Sequence, residues 1–121
     1  GVNGCNVAAS EWIYDAMGKL HNRQYINQCL TSSMTLTACS NDNAGQAWSL
    51  NPTTKAMYQG DQCLDLSGGF TPTADGRSTI IRYSCTGSVN QQWSLPTQNQ
   101  SFILAAAQAQ NLVLIINSLQ P

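Results

Sequence analysis

The stretch "NQQWSL" at 90–95 has a near copy in "GQAWSL" at 45–50. Both place a Gln two residues before a Trp and follow the Trp with Ser-Leu, but only the second has Asn in front of its Gln. A third tryptophan, Trp12, extends the series, and each of the three has a cysteine seven to nine residues upstream: Cys5, Cys39 and Cys85. Further upstream "QCL" stands at 28–30 and again at 62–64. Self-similarity at this period marks a repeat architecture. The unit is a Cys-Leu strand, a second strand ending in Cys, then a turn and Trp-Ser-Leu. Two full copies are legible, 13–48 and 49–93.

The segments between these markers read as strands. "MTLTAC", "STIIRYSC" and "SFILAA" are short and rich in apolar or β-branched residues, and "NPTT", "SGG" and "ADG" punctuate them as turns. "ASEWIYDAMGKL" at 9–20 has helix-like composition, but the repeat frame puts Trp12 and Ile13 on a strand, so no helix is expected there. The class is all-β. The N-terminus supplies only the back half of a unit. The tail "SFILAAAQAQNLVLII" resembles a front half, so a third unit split between 94–121 and 1–12 is expected to close a ring and bury sheet edges. The strand near 112–116 should then lie close to the strand carrying Cys5 or Trp12.

At 121 residues the chain is one domain by length. Its net charge is −1 and only 9% of residues are charged, against about 25% in ordinary globular domains. Ser, Thr, Asn and Gln carry the polar role, which suits a neutral hydroxylated ligand. No two Lys or Arg are adjacent, so the phosphate-tracking patch of a nucleic-acid binder is missing and no nucleic-acid partner is expected. The longest apolar runs, "FILAAA" and "LVLII", are far shorter than the ~20 residues of a membrane helix, so no transmembrane segment is expected. No basic-then-apolar segment opens the chain, which reads as a mature form or an excised domain. Five cysteines without a C-x-x-C pair point to disulfides and a secreted, extracellular setting. "NQS" at 99–101 fits a glycosylation acceptor by pattern.

The segment "QCLDLSGG" at 62–69, the strand "IIRYSC" at 80–85 and the "VNQQW" of 89–93 resemble the ricin B-type β-trefoil lectins, found also as carbohydrate-binding modules of glycosidases. That resemblance implies three lobes about a pseudo-threefold axis, with Trp12, Trp48 and Trp93 in the core. It also implies one disulfide per lobe, Cys29–Cys39 and Cys63–Cys85. Cys5 would be the odd cysteine, since Phe102 and "IINS" stand where its partners would be. A free thiol, or a link to a partner chain through Cys5, is expected.

A neutral sugar is gripped by a carboxylate accepting from ring hydroxyls, an amide that donates and accepts, and an aromatic face over its C–H side. The resemblance assigns these roles in 49–93 to Asp65, Tyr83, Asn90 and Gln91, with Gly68 letting the backbone approach the ligand. Tyr83 stands where Trp is frequent in the family, and Ile81 where a polar side chain often stands. In 13–48 the matching residues are Thr31, Thr37 and Gly45, leaving only Gln46; the split unit has Leu104, Ala9 and Ser10. One intact sugar site and two retired ones are expected. Its ligand is a glycan of galactose or GalNAc type, and its role that of a targeting module or subunit of a toxin or glycosidase. The competing readings are a trefoil subunit that holds a partner chain, a β-trefoil protease inhibitor using the 67–79 loop, and a purely structural trefoil.

No cofactor, metal site or catalytic residue is expected. His21 has no Cys or carboxylate at ligand spacing and reads as a surface residue. Asp61 and Asp65, on one strand, would lie about 13 Å apart, beyond the separations used in glycoside hydrolysis. No nucleophile–base–orienter set is visible, and an enzyme is not expected.

Overall fold

The computed structural model describes residues 11–67, 77–94, 102–103, 105–106 and 113–115, and among these described residues it has twelve strands and two 3-10 turns. The first four strands are β1 (Trp12–Tyr14), β2 (Leu20–Asn22), β3 (Gln28–Leu30) and β4 (Leu36–Ala38). They form an antiparallel meander that ends in a 3-10 turn, Ala44–Gln46. The pattern then recurs in β5 (Ser49–Leu50), β6 (Met57–Gln59), β7 (Gln62–Leu66) and β8 (Arg77–Ser84), followed by a second 3-10 turn, Val89–Gln91. β9 (Trp93–Ser94) comes next. The helix-like composition of 9–20 loses to the repeat frame: Trp12 opens a strand. The chain is all-β, and among the described residues no helix is long and apolar enough to cross a membrane.

Three short C-terminal strands join these blocks. β10 (Phe102–Ile103) pairs antiparallel with β1, Ile13 facing Ile103, and β11 (Ala105–Ala106) pairs with β9. β12 (Val113–Ile115) runs parallel to the start of β8, Val113 against Arg77. The strand near 112–116 is expected close to the strand carrying Cys5 or Trp12; among the described residues it pairs with β8, and the tail reaches the Trp12 strand through 102–103 instead. The physical reason lies in β8. Its ladder with β7 runs from Gln62↔Ser84 only to Leu66↔Ile80, and the backbone of 77–79 extends past it to take β12. Cys5 and its surroundings lie outside the described residues.

The core is made from the repeated positions. Trp12, Trp48 and Trp93 are buried with Leu20, Leu30, Met57, Leu64, Leu66 and Ile80. Two of the tryptophans are held identically. Trp48 Nε1 donates to the Leu30 carbonyl at 3.0 Å and Trp93 Nε1 to the Leu64 carbonyl at 3.1 Å. Each indole thus satisfies its one donor on the Leu of a "QCL" segment, as a buried Trp must. Cys29–Cys39 and Cys63–Cys85 are disulfide-bonded across 10 and 22 residues, as the family resemblance implies. By loop entropy each contributes about 3 kcal/mol.

The backbone docking repeats as well. The hairpin between β1 and β2 turns through Gly18 at φ +87°, and the Gly18 carbonyl accepts from Trp48 N at 2.8 Å. In the hairpin between β5 and β6, Lys55 takes the same place at φ +67°, and its carbonyl accepts from Trp93 N at 2.9 Å. Each hairpin tip is stitched to the next tryptophan.

Candidate functional site

Asp65 and Tyr83 sit on one face of the β7–β8 hairpin. Register places Asp65 opposite Ile81 and Cys63 opposite Tyr83, so Asp65 and Tyr83 are diagonal neighbours on that face. Their environments differ sharply. The Asp65 side chain is nearly enclosed, at 9% exposure, whereas Tyr83 is 56% exposed and free to present its ring.

The turn Val89–Gln91 brings the Gln91 amide to this face. Gln91 is buried, and its Nε2 donates to Asp65 Oδ2 at 2.9 Å and to the Ser84 carbonyl at 2.9 Å. Its Oε1 accepts from the backbone N–H of Thr86 at 2.8 Å and of Gly87 at 3.3 Å. Both amide hydrogens and both lone pairs are committed to protein. Sequence reasoning put Gln91 among the gripping residues; its geometry makes it the group that holds Asp65 and ties the turn to β8. Asn90, half-buried beside it, has no hydrogen-bond partner among the described residues, so its amide is open to a ligand. Gly68 lies outside the described residues.

The first meander carries the same scaffold without the acid. Gln46 is buried, its Oε1 accepts from Ser40 N at 2.9 Å, and its Nε2 donates to the Ala38 carbonyl at 2.9 Å and to Thr37 Oγ1 at 2.7 Å. Thr31, at the Asp65 position, turns its hydroxyl into a local cluster with Ser33 and Thr35 at 2.9 and 2.8 Å. At Gly45, the counterpart of Asn90, a Cβ would already meet Ser32 Oγ and Asn43 Oδ1 at 3.2 Å each. Arg82 Nη1, donating to the Ser32 carbonyl at 2.6 Å, pins that wall. No side chain reaches out of this position.

His21 was read as a lone surface residue, and that is corrected. It is half-buried on β2, with Nε2 2.6 Å from Asp15 Oδ2 and Nδ1 2.7 Å from the Ile26 carbonyl. Cys39 Sγ is 3.6 Å from Nδ1. The partners come from a hairpin tip and a loop, six and five residues away, which no fixed ligand spacing reveals. His21, Cys29 and Cys39 gather their ligand atoms within 4.8 Å, but both sulfurs are joined in a disulfide and offer no thiolate. Burial pushes the Asp15 carboxyl up. The hydrogen bond from His21 and those from the backbone N–H of Lys19 and Met17 outweigh it and hold Asp15 below the usual carboxylate range. Tyr14, whose hydroxyl donates to the Trp48 carbonyl at 2.6 Å, is raised by burial and by the neighbouring Asp15 and Tyr58.

A repeated Trp plug, a Cys-Leu strand and a Gln-braced turn, with an acid held by the second turn, are the build of a carbohydrate-binding type of domain. The family model for the ricin-type beta-trefoil lectin domain matches residues 31–120. The chain belongs to that family. Comparison with curated proteins gave no match.

Proposed function

We infer that this is a secreted lectin-type domain holding one neutral sugar of galactose type, and that it serves as the targeting module or subunit of a larger toxin or glycosidase. Asp65 accepts from two ring hydroxyls, Tyr83 covers the apolar C–H face and Asn90 supplies the second amide contact. Gln91 positions the carboxylate, and Gly68 admits the ligand to the backbone. The arrangement is a β-trefoil with lobes 13–48, 49–93 and a third made of 94–121 plus 1–12. Support for the closure comes from β10 on β1, β11 on β9 and β12 on β8, which tie the tail to both meanders.

The observation that carries the reading is the Gln91–Asp65 hydrogen bond, present beside Tyr83 and Asn90 and without a counterpart at Thr31. Every contact with a neutral sugar replaces one with water, so affinity is expected near the millimolar end, roughly −4 kcal/mol. Useful avidity would come from a partner domain or clustering. Glycan-array screening followed by calorimetric titration tests this. One sugar per chain is expected, with binding abolished by Asp65→Ala and unchanged by Thr31→Ala. Two or three equivalent sites, or full binding by the Asp65 variant, would overturn it.

A further inference from the structure

The hairpin tip between β1 and β2 and the loop from Ser40 to Ala47 line an open cavity of about 110 Å³ that shares no residue with the Asp65 face. Its wall includes Lys19, which is only 7% exposed. The Lys19 ammonium donates to Asn41 Oδ1, a neutral acceptor. Among the described residues no carboxylate pairs with it. Asp15, four positions earlier, is turned toward His21, and the other ion pair is Arg23–Glu11. A buried ammonium with one neutral partner keeps two N–H groups without an acceptor, an arrangement that favours an incoming negative charge.

The remaining polar wall has the same bias. Gln46 is saturated. Asn41 Oδ1 is occupied by Lys19 and Asn43 Oδ1 by the Gly45 N–H. The Ser40 oxygen accepts from Asp42 N. Each of these oxygens keeps one lone pair, but the free donors among the described side chains outnumber them: two ammonium hydrogens, two Asn amide groups and one hydroxyl hydrogen. That balance favours a ligand rich in acceptors. Met17, at the rim and 66% exposed, adds apolar surface of the kind that covers the C–H edge of a ring.

We propose that this cavity is a second ligand site, taking an oxyanion group carried on a sugar ring, with the anion on Lys19 and Asn41 and the ring edge against Met17. A domain of this construction reads a neutral sugar at Asp65 and an acidic one at Lys19, on opposite chemical principles. It can then discriminate a charged polysaccharide from its neutral counterpart.

Amide NMR titrations of the whole chain with galacturonate, galactose 6-sulfate, galactose, acetate and sulfate test the site. Galacturonate or the sulfate ester should shift Met17, Lys19, Asn41 and Ala44, and whichever does so identifies the anion. Galactose should leave these four unmoved. Lys19→Gln should weaken acid-sugar binding at least tenfold, and Ala47→Leu, which fills the cavity from an exposed position, should do the same without touching a buried charge. Neither change should affect galactose binding elsewhere. Raising NaCl from 50 to 500 mM should weaken the acidic ligand severalfold and galactose very little. The proposal fails if neither acidic sugar shifts these residues more than galactose does. It fails equally if Ala47→Leu binds them as wild type, or if acetate and sulfate match them in affinity.

Discussion

Gln46 and Gln91 perform one structural task at two places, and one residue separates their consequences. Each closes a 3-10 turn onto the strand that ends in cysteine, but only Gln91 has a carboxylate within reach. Replacing either with Ala leaves buried backbone groups unpaired, which costs about 1–3 kcal/mol each. Gln91→Ala and Gln46→Ala should therefore lose similar stability in urea unfolding. Sugar titration should tell them apart: Gln91→Ala should weaken binding at least tenfold by freeing Asp65, and Gln46→Ala should not. Equal sugar affinity in the two variants would remove Gln91 from the site.

At the scale of elements, the hairpin tips decide how one meander docks on the next. A Cβ at Gly18 would stand 2.9 Å from the Trp48 carbonyl at a positive φ, whereas Lys55 already bears a side chain in the left-handed region. Gly18→Ala should destabilise by at least about 1–2 kcal/mol, while Lys55→Gly should be neutral or stabilising by up to about 1 kcal/mol. Thermal melts of the pair check both signs. Asp15 organises the first tip, accepting from Met17 N and Lys19 N and facing His21. Its carboxyl is depressed in the folded state, so its contribution is present above the ordinary value of 3.8 and is lost as pH falls through the lower folded value. Asp15→Asn should lower stability at neutral pH and flatten the acid limb of the stability–pH curve below about pH 4. An acid limb parallel to that of wild type would show that Asp15 plays no part in it.

For the whole molecule, the tail is the element that joins the blocks, since β10 adds to the first sheet and β12 to the second. Removing 101–121 strips one edge from each and leaves β9 without β11. The truncated chain should lose cooperative unfolding at room temperature, read by tryptophan fluorescence against denaturant. A truncated chain with the midpoint of wild type would refute the closed ring. Reduction of the two described disulfides is expected to cost about 3 kcal/mol each, separably in single Cys→Ser pairs, because each constrains a different meander.

What the sequence determined by itself is the repeated part. The Trp-Ser-Leu and Cys-Leu markers announced strands, and their period outweighed the helix-like composition around Trp12. Burial of one indole per unit, eight or nine residues after the cysteine that closes each meander, is a demand made at nearly constant spacing, so it is legible as text. The resemblance assigned Asp65, Tyr83, Asn90 and Gln91 together at offsets from those markers, and the structure joins two of them through the Gln91–Asp65 hydrogen bond. What only the tertiary structure decided are contacts between groups whose separation in the chain carries no signal. The saturation of Gln91, the enclosure of Lys19, the pairing of His21 with Asp15 and the parallel run of 113–115 along β8 are of this kind. Each depends on which donors and acceptors a folded backbone leaves unfilled. That remainder is set by the packing of neighbouring loops and hairpins, and a lone charged or polar letter does not carry it.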